Sequence, residues 1–230
     1  MAYILNIETA TKNCSVALGK EKSVIDVIEY TGEGYSHAEK LHVFIQDILK
    51  RNNLKPSDLS AISVSKGPGS YTGLRIGVSA AKGLAYALDI PLISISTLES
   101  LARLVKTGED VYIIPIIDAR RMEVYSAVYD QNYNLVRNVQ ADLLEEQPFE
   151  AYLSEKKVIF IGDAVDKTRK VIQHANACFH EAKYPSARKQ QDIAYKKFIK
   201  QVFENTAYFE PYYLKDFMIT SKKLSKTTHK

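Results

Sequence analysis

Short apolar stretches separated by polar breaks run along most of the chain, and their periods define an order of elements. Tyr3–Glu8 reads as a buried strand, and residues 14–18 and 23–30, rich in Val, Ile and Leu, read as two more. The connections are short, which implies an antiparallel meander. Gly32 and Gly34 then interrupt the chain, and Ser36 with Glu39 three residues on forms a capping-box pattern. The helix opened there carries Leu41, Phe44, Ile45, Ile48 and Leu49 at helical spacing, and Pro56 bars its continuation. A strand at 61–65, a glycine-rich turn, a helix at 74–88, a strand at 91–95 and a helix from Thr97 follow.

Near Thr107-Gly108-Glu109-Asp110 this order restarts. Residues 111–118, 122–129 and 134–139 give a second meander, followed by a short helix at 149–153, a strand at Val158–Ile161 and a helix at 163–174. The expected class is α/β with two like halves, residues 1–106 and 107–219. A strong helix is expected at 186–203, and the basic tail 220–230 is expected to be poorly ordered.

Composition adds bounds. The 230 residues are 46% hydrophobic and 25% charged, as in ordinary globular proteins. No apolar run is long enough to span a bilayer, and the N-terminus has no secretory pattern. Cys14 and Cys178 read as reduced core residues of a cytosolic protein. The net charge of +4 is uneven: residues 183–230 hold 11 basic and 4 acidic side chains. Arg188, Lys189, Lys196 and Lys197 are therefore candidates to meet a phosphate backbone, the alternative being a solvated helix face.

Candidate chemistry centres on strand ends. Glu8 and Asp118 each close an apolar strand, where they could hold hydrated Mg²⁺ through phosphates or merely cap their own turns. Gly162-Asp163 could approach a nucleotide or form a tight turn. The run Gly67 to Gly73 lacks the Lys-Ser/Thr of a P-loop. Its helix N-terminus, with Arg75 in the first turn, retains the capacity to bind an anion. Gly73, Gly77, Ala81 and Ala85 recur every four residues, a narrow face that another helix could approach, with Leu74 and Val78 beside it. That helix is either the chain's own or, across a subunit interface, one packed with the stripe of Leu41 and Ile45. The histidines and cysteines give no metal-ligand spacing.

The run Lys66-Gly67-Pro68-Gly69-Ser70-Tyr71-Thr72-Gly73-Leu74-Arg75-Ile76-Gly77 is similar to the signature of the TsaB (YeaZ) family. Asp118-Ala119-Arg120-Arg121-Met122-Glu123-Val124-Tyr125 resembles its second signature, and Glu210-Pro211-Tyr212-Tyr213-Leu214 its third. The resemblance implies the actin-like ATPase (ASKHA) fold of two RNase-H-like halves. It implies a non-catalytic subunit required for N6-threonylcarbamoyladenosine formation beside the anticodon of tRNAs. Such a subunit dimerises with and activates a catalytic TsaD-like paralogue, works with a TsaE-like ATPase, forms a homodimer alone, and meets tRNA through the complex in the cytoplasm. No cofactor is implied for the chain alone, and ATP or ADP would sit at the complex interface. The resemblance assigns dimerisation to the two N-terminal helices. The metal-binding histidines of TsaD fall on Thr97 and Leu101 here. The alternative function is an active ASKHA-type phosphotransferase or ATPase using Glu8 and Asp118; a metallopeptidase lacks a ligand set.

Overall fold

A computed structural model describes residues 1–32 and 37–214. The first half contains β1 (Tyr3–Glu8), β2 (Asn13–Lys20), β3 (Ser23–Thr31), α1 (His37–Arg51), β4 (Ala61–Gly67), α2 (Tyr71–Leu88), β5 (Leu92–Ser96) and α3 (Thr97–Ala102). The second contains β6 (Tyr112–Asp118), β7 (Glu123–Asp130), β8 (Leu135–Leu143), α4 (Glu150–Glu155), β9 (Val158–Ile161), α5 (Val165–Val171) and β10 (Ala177–Phe179), and α6 (Gln191–Ile199) follows. The two sheets run β3-β2-β1-β4-β5 and β8-β7-β6-β9-β10. In each, three antiparallel strands are followed by two that lie parallel to the first. This is one RNase-H-like plan used twice, the architecture of the actin-like class.

Side-chain alternation decides what each face of the first sheet meets. Leu5, Ile7, Ile62 and Val64 point to the core shared with Leu41, Ile45 and Ile48 of α1 and Val78, Ala81 and Ala85 of α2. Ile4 and Ala61 point the other way, to Ile193 and Ala194 of α6. In the second half Ile114, Ile116 and Phe160 pack on Phe149, Leu153 and Val165, while Ile113, Ile117 and Ile161 meet Leu98, Leu101 and Ala102 of α3. Thus α3 is wedged against the second sheet while it continues directly from the first.

Four expectations change. The helix expected at 186–203 is split: Ser186 accepts from the Arg188 N–H and caps a single 3-10 turn, Ala187–Lys189, before α6. Gln190 and Gln191 are buried there for hydrogen bonding, a use that apolar periodicity does not register. The helix expected at 163–174 covers only Val165–Val171. Cys178 is exposed because it lies on the outer face of the short edge strand β10. Residues grouped from sequence with the second half, namely α6, instead pack on the first sheet. Ser36 and residues 220–230 lie outside the described residues.

After α6 the chain crosses back over the first half as a strap. The Glu204 N–H bonds to the Leu92 carbonyl at 2.8 Å, and the Tyr212 N–H to the Lys66 carbonyl at 2.7 Å. Lys82 of α2 donates to the Ala207 and Phe209 carbonyls at 3.1 and 2.9 Å. Hydrogen bonds from a charged donor contribute about 1.5–3 kcal/mol, and here they hold a segment with little buried apolar area. Lys82→Ala should therefore speed amide exchange in residues 203–214 by about tenfold or more while the sheets keep their protection. Hydrogen exchange with mass spectrometry reads this directly, and unchanged exchange in that peptide would show that Lys82 does not hold the strap.

Candidate functional site

Glu8 ends β1 with no exposed surface. One carboxylate oxygen accepts the Ala10 N–H at 2.8 Å; the other accepts a very short bond from the Ser65 hydroxyl and one from Gln190 Nε2 at 3.3 Å. Gln190 also donates to the Ile7 carbonyl and to Ser65 Oγ, and its Oε1 accepts from Ser63. Asn6 donates to Gln191 Oε1 at 2.7 Å. The alternation that sends Ile4 toward α6 sends Asn6 and Glu8 the same way, so this face of the sheet is polar where it meets the Gln190-Gln191 pair. Burial pushes the Glu8 carboxyl up to about 7, against the lowering effect of its hydrogen bonds. The reading in which Glu8 holds hydrated Mg²⁺ through phosphates is corrected: it is a buried, fully engaged carboxyl.

Asp118 lies at the corresponding end of β6 and is half exposed. It accepts the Arg120 N–H at 2.9 Å and Lys167 Nζ at 2.6 Å. Asp163 accepts the Asp118 N–H at 2.8 Å, and burial pushes its carboxyl up to about 6. Gly162 has φ +134°, and an added Cβ would stand 2.0 Å from the Ile116 carbonyl oxygen, so the β9–α5 turn is pressed against β6. The structure thus brings Asp118, Gly162 and Asp163 together but leaves Glu8 outside that group. Both expected strand-end acids cap their own turns, the second of the two readings. Among the described residues no group of three His, Cys, Asp or Glu could hold a metal. Thr97 and Leu101 are fully buried in α3.

The glycine run has an internal purpose. Ser70 caps α2 by accepting the Gly73 N–H, and its own N–H bonds to the Ala10 carbonyl at 2.7 Å. An added Cβ at Gly69 would stand 2.3 Å from the Ala10 carbonyl oxygen; at Gly73, 2.1 Å from that of Thr9; at Gly77, 2.2 Å from Thr9 Oγ1. The body that approaches so closely is the β1–β2 turn of the same chain, neither a phosphate nor a helix. Arg75 stacks over Tyr71 at 3.9 Å and donates to the Tyr213 hydroxyl at 3.2 Å, so it serves the strap rather than an anion. Leu41, Ile45, Gly73, Leu74, Gly77, Val78, Ala81 and Ala85 are all buried within the protomer. As direct interface contacts they are corrected: they are the core face of α1 and α2, and only the opposite face is open.

The cations also separate. Arg188 is exposed, and Lys189, half buried, is held below the ordinary lysine range by burial and by Lys106 and Arg188 nearby. Lys196 pairs with Asp192 at 2.7 Å. Lys197 is turned inward, donating to the Ser94 carbonyl at 2.7 Å, so it is corrected as an outward phosphate contact.

A cavity of about 560 Å³ opens between the halves. Lys66, Gly67, Ser96 and Glu99 line it from the ends of β4 and β5 and from α3; Tyr129, Tyr133, Leu135, Asn138 and Val139 line it from the β7–β8 hairpin, and Tyr212 from the strap. None of Glu8, Asp118, Gly162 or Asp163 does. Lys66 and Tyr212 stand in the first and third signatures, but hydropathy gave no reason to join them with the hairpin.

The profile of the family described as "TsaD: tRNA N6-adenosine threonylcarbamoyltransferase" matches residues 33–225. The tRNA threonylcarbamoyladenosine biosynthesis protein TsaB of Bacillus subtilis (strain 168) is 36% identical over 176 residues, 74% of this chain and 75% of that protein. The protein of the same name from Escherichia coli (strain K12) is 38% identical over 133 residues, 57% of this chain and 56% of that one. The solved structure of YeaZ from Pseudomonas aeruginosa superposes with a TM-score of 0.79 at 26% identity, covering 93% of this chain and all of that one. Signatures, duplicated topology and these likenesses agree, and the chain belongs to the TsaB (YeaZ) family.

Proposed function

We propose that this chain is the non-catalytic subunit of the machinery that forms N6-threonylcarbamoyladenosine in tRNA, acting in the cytoplasm by docking on and activating a TsaD-type catalytic paralogue. The observation that supports the docking site is Gly83. It is exposed in the middle of α2, and an added Cβ there would meet nothing within 4 Å among the described residues. A helical glycine costs about 1 kcal/mol relative to alanine, and packing among the described residues gives no reason for it. The outward face around it offers Ser79 and Ala87, with Val43 half exposed on the adjoining α1. A second helix pair can come close there, in the heterodimer or in a homodimer of this chain alone. The turn-capping roles of the strand-end acids, with Glu8 buried and Asp118 paired with Lys167, speak against an active phosphotransferase. A TsaE-like ATPase completes the assembly, with ATP or ADP at the complex interface, and tRNA is met through the complex at Arg188 and Lys189, joined by Lys106.

Gly83→Arg should weaken association with the paralogue by about a hundredfold, as expected for a central contact, while the subunit's own melting temperature stays within about 3 °C. Val43→Glu should act in the same direction. Analytical ultracentrifugation of the mixed subunits checks both; undiminished association in both variants would reject this face.

A further inference from the structure

The strap lies along one flank of α2. Tyr71, Arg75, Lys82 and Tyr86 follow one another at spacings of four, seven and four residues, so they share that flank. The chain returns along it in the opposite direction. Lys82 holds the Ala207 and Phe209 carbonyls, and further on the Tyr213 hydroxyl accepts from Arg75 while its ring stands 4.9 Å from that of Tyr71. Both cations of the flank are thereby committed within the chain.

Two side chains there are left without an internal use. Tyr86 is 84% exposed and Tyr208 83%. They are neighbours: Tyr86 stands one turn beyond Lys82, and Tyr208 is the residue between the two carbonyls that Lys82 holds. Neither side chain has a hydrogen bond or a ring contact among the described residues. The backbone under Tyr208 is nevertheless fixed. Its N–H and that of Ala207 bond to Asn205 Oδ1 at 3.3 and 3.0 Å, and Phe209 beside it packs against the core of the first half. With Phe209 turned inward, Tyr208 is turned out. Large apolar groups presented together on a fixed surface mark an interaction site. Tyrosine suits one, because it supplies wide contact area with few rotatable bonds to freeze.

Tyr86 is also three residues from Gly83, so the pair continues the outward face of α2. We infer, on the basis of docking at the Gly83 face, that Tyr86 and Tyr208 are anchor residues of the same surface and receive an uncharged, apolar side chain of the TsaD-type paralogue. The strap then forms a third rail of that surface, beside α2 and α1. An apolar counterpart fits because Arg75 and Lys82 are already bonded within the chain and leave the flank without a cation to pair. Contact at Tyr208 bears on the strap itself, whose far end is tied by the Tyr212 N–H to the Lys66 carbonyl, so docking also steadies residues 203–214.

Tyr86→Ala and Tyr208→Ala should each weaken association with the paralogue by about tenfold or more, as for buried aromatic anchors, whereas Tyr208→Phe, which keeps the ring, should change it little. Both alanine variants should melt within about 2 °C of the parent, because exposed side chains add little to the protomer's own stability. Analytical ultracentrifugation over a concentration series gives the affinities. Hydrogen exchange gives a second readout: the 203–214 peptide should exchange more slowly once the paralogue is added. Association of both alanine variants at the parent's affinity would overturn the inference, as would a strap peptide that exchanges at the same rate free and bound. Gly83→Arg separates the anchors from the helix face. Loss of association in that variant, with undiminished association in both tyrosine variants, rejects the anchors and leaves the face. Undiminished association in Gly83→Arg and Val43→Glu, with loss in the tyrosine variants, rejects the helix face and keeps the strap.

Discussion

Gly77→Val should destabilise the whole protomer and not merely its association. An added Cβ would stand 2.2 Å from Thr9 Oγ1, and the Thr9 hydroxyl already donates to the Gly73 carbonyl at 2.7 Å. The β-branched side chain has no free direction there, because α2 lies between the β1–β2 turn and the core of α1. Overpacking costs about 1–3 kcal/mol and occasionally more, and displacing the Thr9 hydroxyl leaves the hydrogen bond to Gly73 unmade. A loss of about 3 kcal/mol or more would lower the melting temperature by roughly 10 °C in a domain of this size. Differential scanning calorimetry of the single chain decides it. A Gly77→Val protein that melts like the parent but fails to associate would instead restore this face to the subunit contact. Gly83→Ala makes the contrast: on the same helix it should stabilise by about 0.5–1 kcal/mol, because it restricts the unfolded chain and meets none of the described residues in the folded one.

The second large effect is a pH dependence centred on Glu8. Its carboxyl is raised from 4.5 to about 7 in the folded chain, chiefly by burial. The folded state therefore binds this proton more tightly than the unfolded state. Stability from this group is fully present below pH 4.5, declines between 4.5 and 7, and is lost above 7. The shift corresponds to about 3 kcal/mol across that window. Asp163, raised from 3.8 to about 6, adds a dependence of the same sign over a slightly lower range. Glu8→Gln should flatten the Glu8 component and raise stability at pH 8 relative to the parent, since no charge then has to be buried beneath Gln190. Urea unfolding at pH 5, 6, 7 and 8 measures this. A parent whose stability rises from pH 5 to 8, or a variant with an undiminished slope, would show that Glu8 is ionised at little cost in the folded state.

Much of the fold was legible in the sequence because it rests on local period and punctuation. β1 and β9 have the bounds that apolar runs imply, and the order of elements restarts where Thr107-Gly108-Glu109-Asp110 breaks the chain. Gly67, with φ +116°, marks the tight turn into α2 that its place in the glycine run suggests. Less was legible where polar residues are buried by pairing. Gln190 and Gln191 look like surface positions until Ser63, Ser65, Asn6 and Glu8 are seen opposite them. That pairing joins residues more than 120 apart. The split before α6 and the assignment of that helix to the first sheet follow from it.

The sequence alone determined the duplicated plan, the family signatures and the presence of a small-residue face on α2, because each depends on residues close in the chain. Only the tertiary structure decided which way that face turns. Gly73 and Gly77 are required by Thr9 of the chain's own β1–β2 turn, whereas Gly83 is required by none of the described residues of the protomer. It also decided that Glu8 is interior, that Lys197 points inward, and that Lys66 shares a cavity with three tyrosines. Spacing along a helix gives the angle between side chains but not what stands opposite them, and that is set by where distant segments cross.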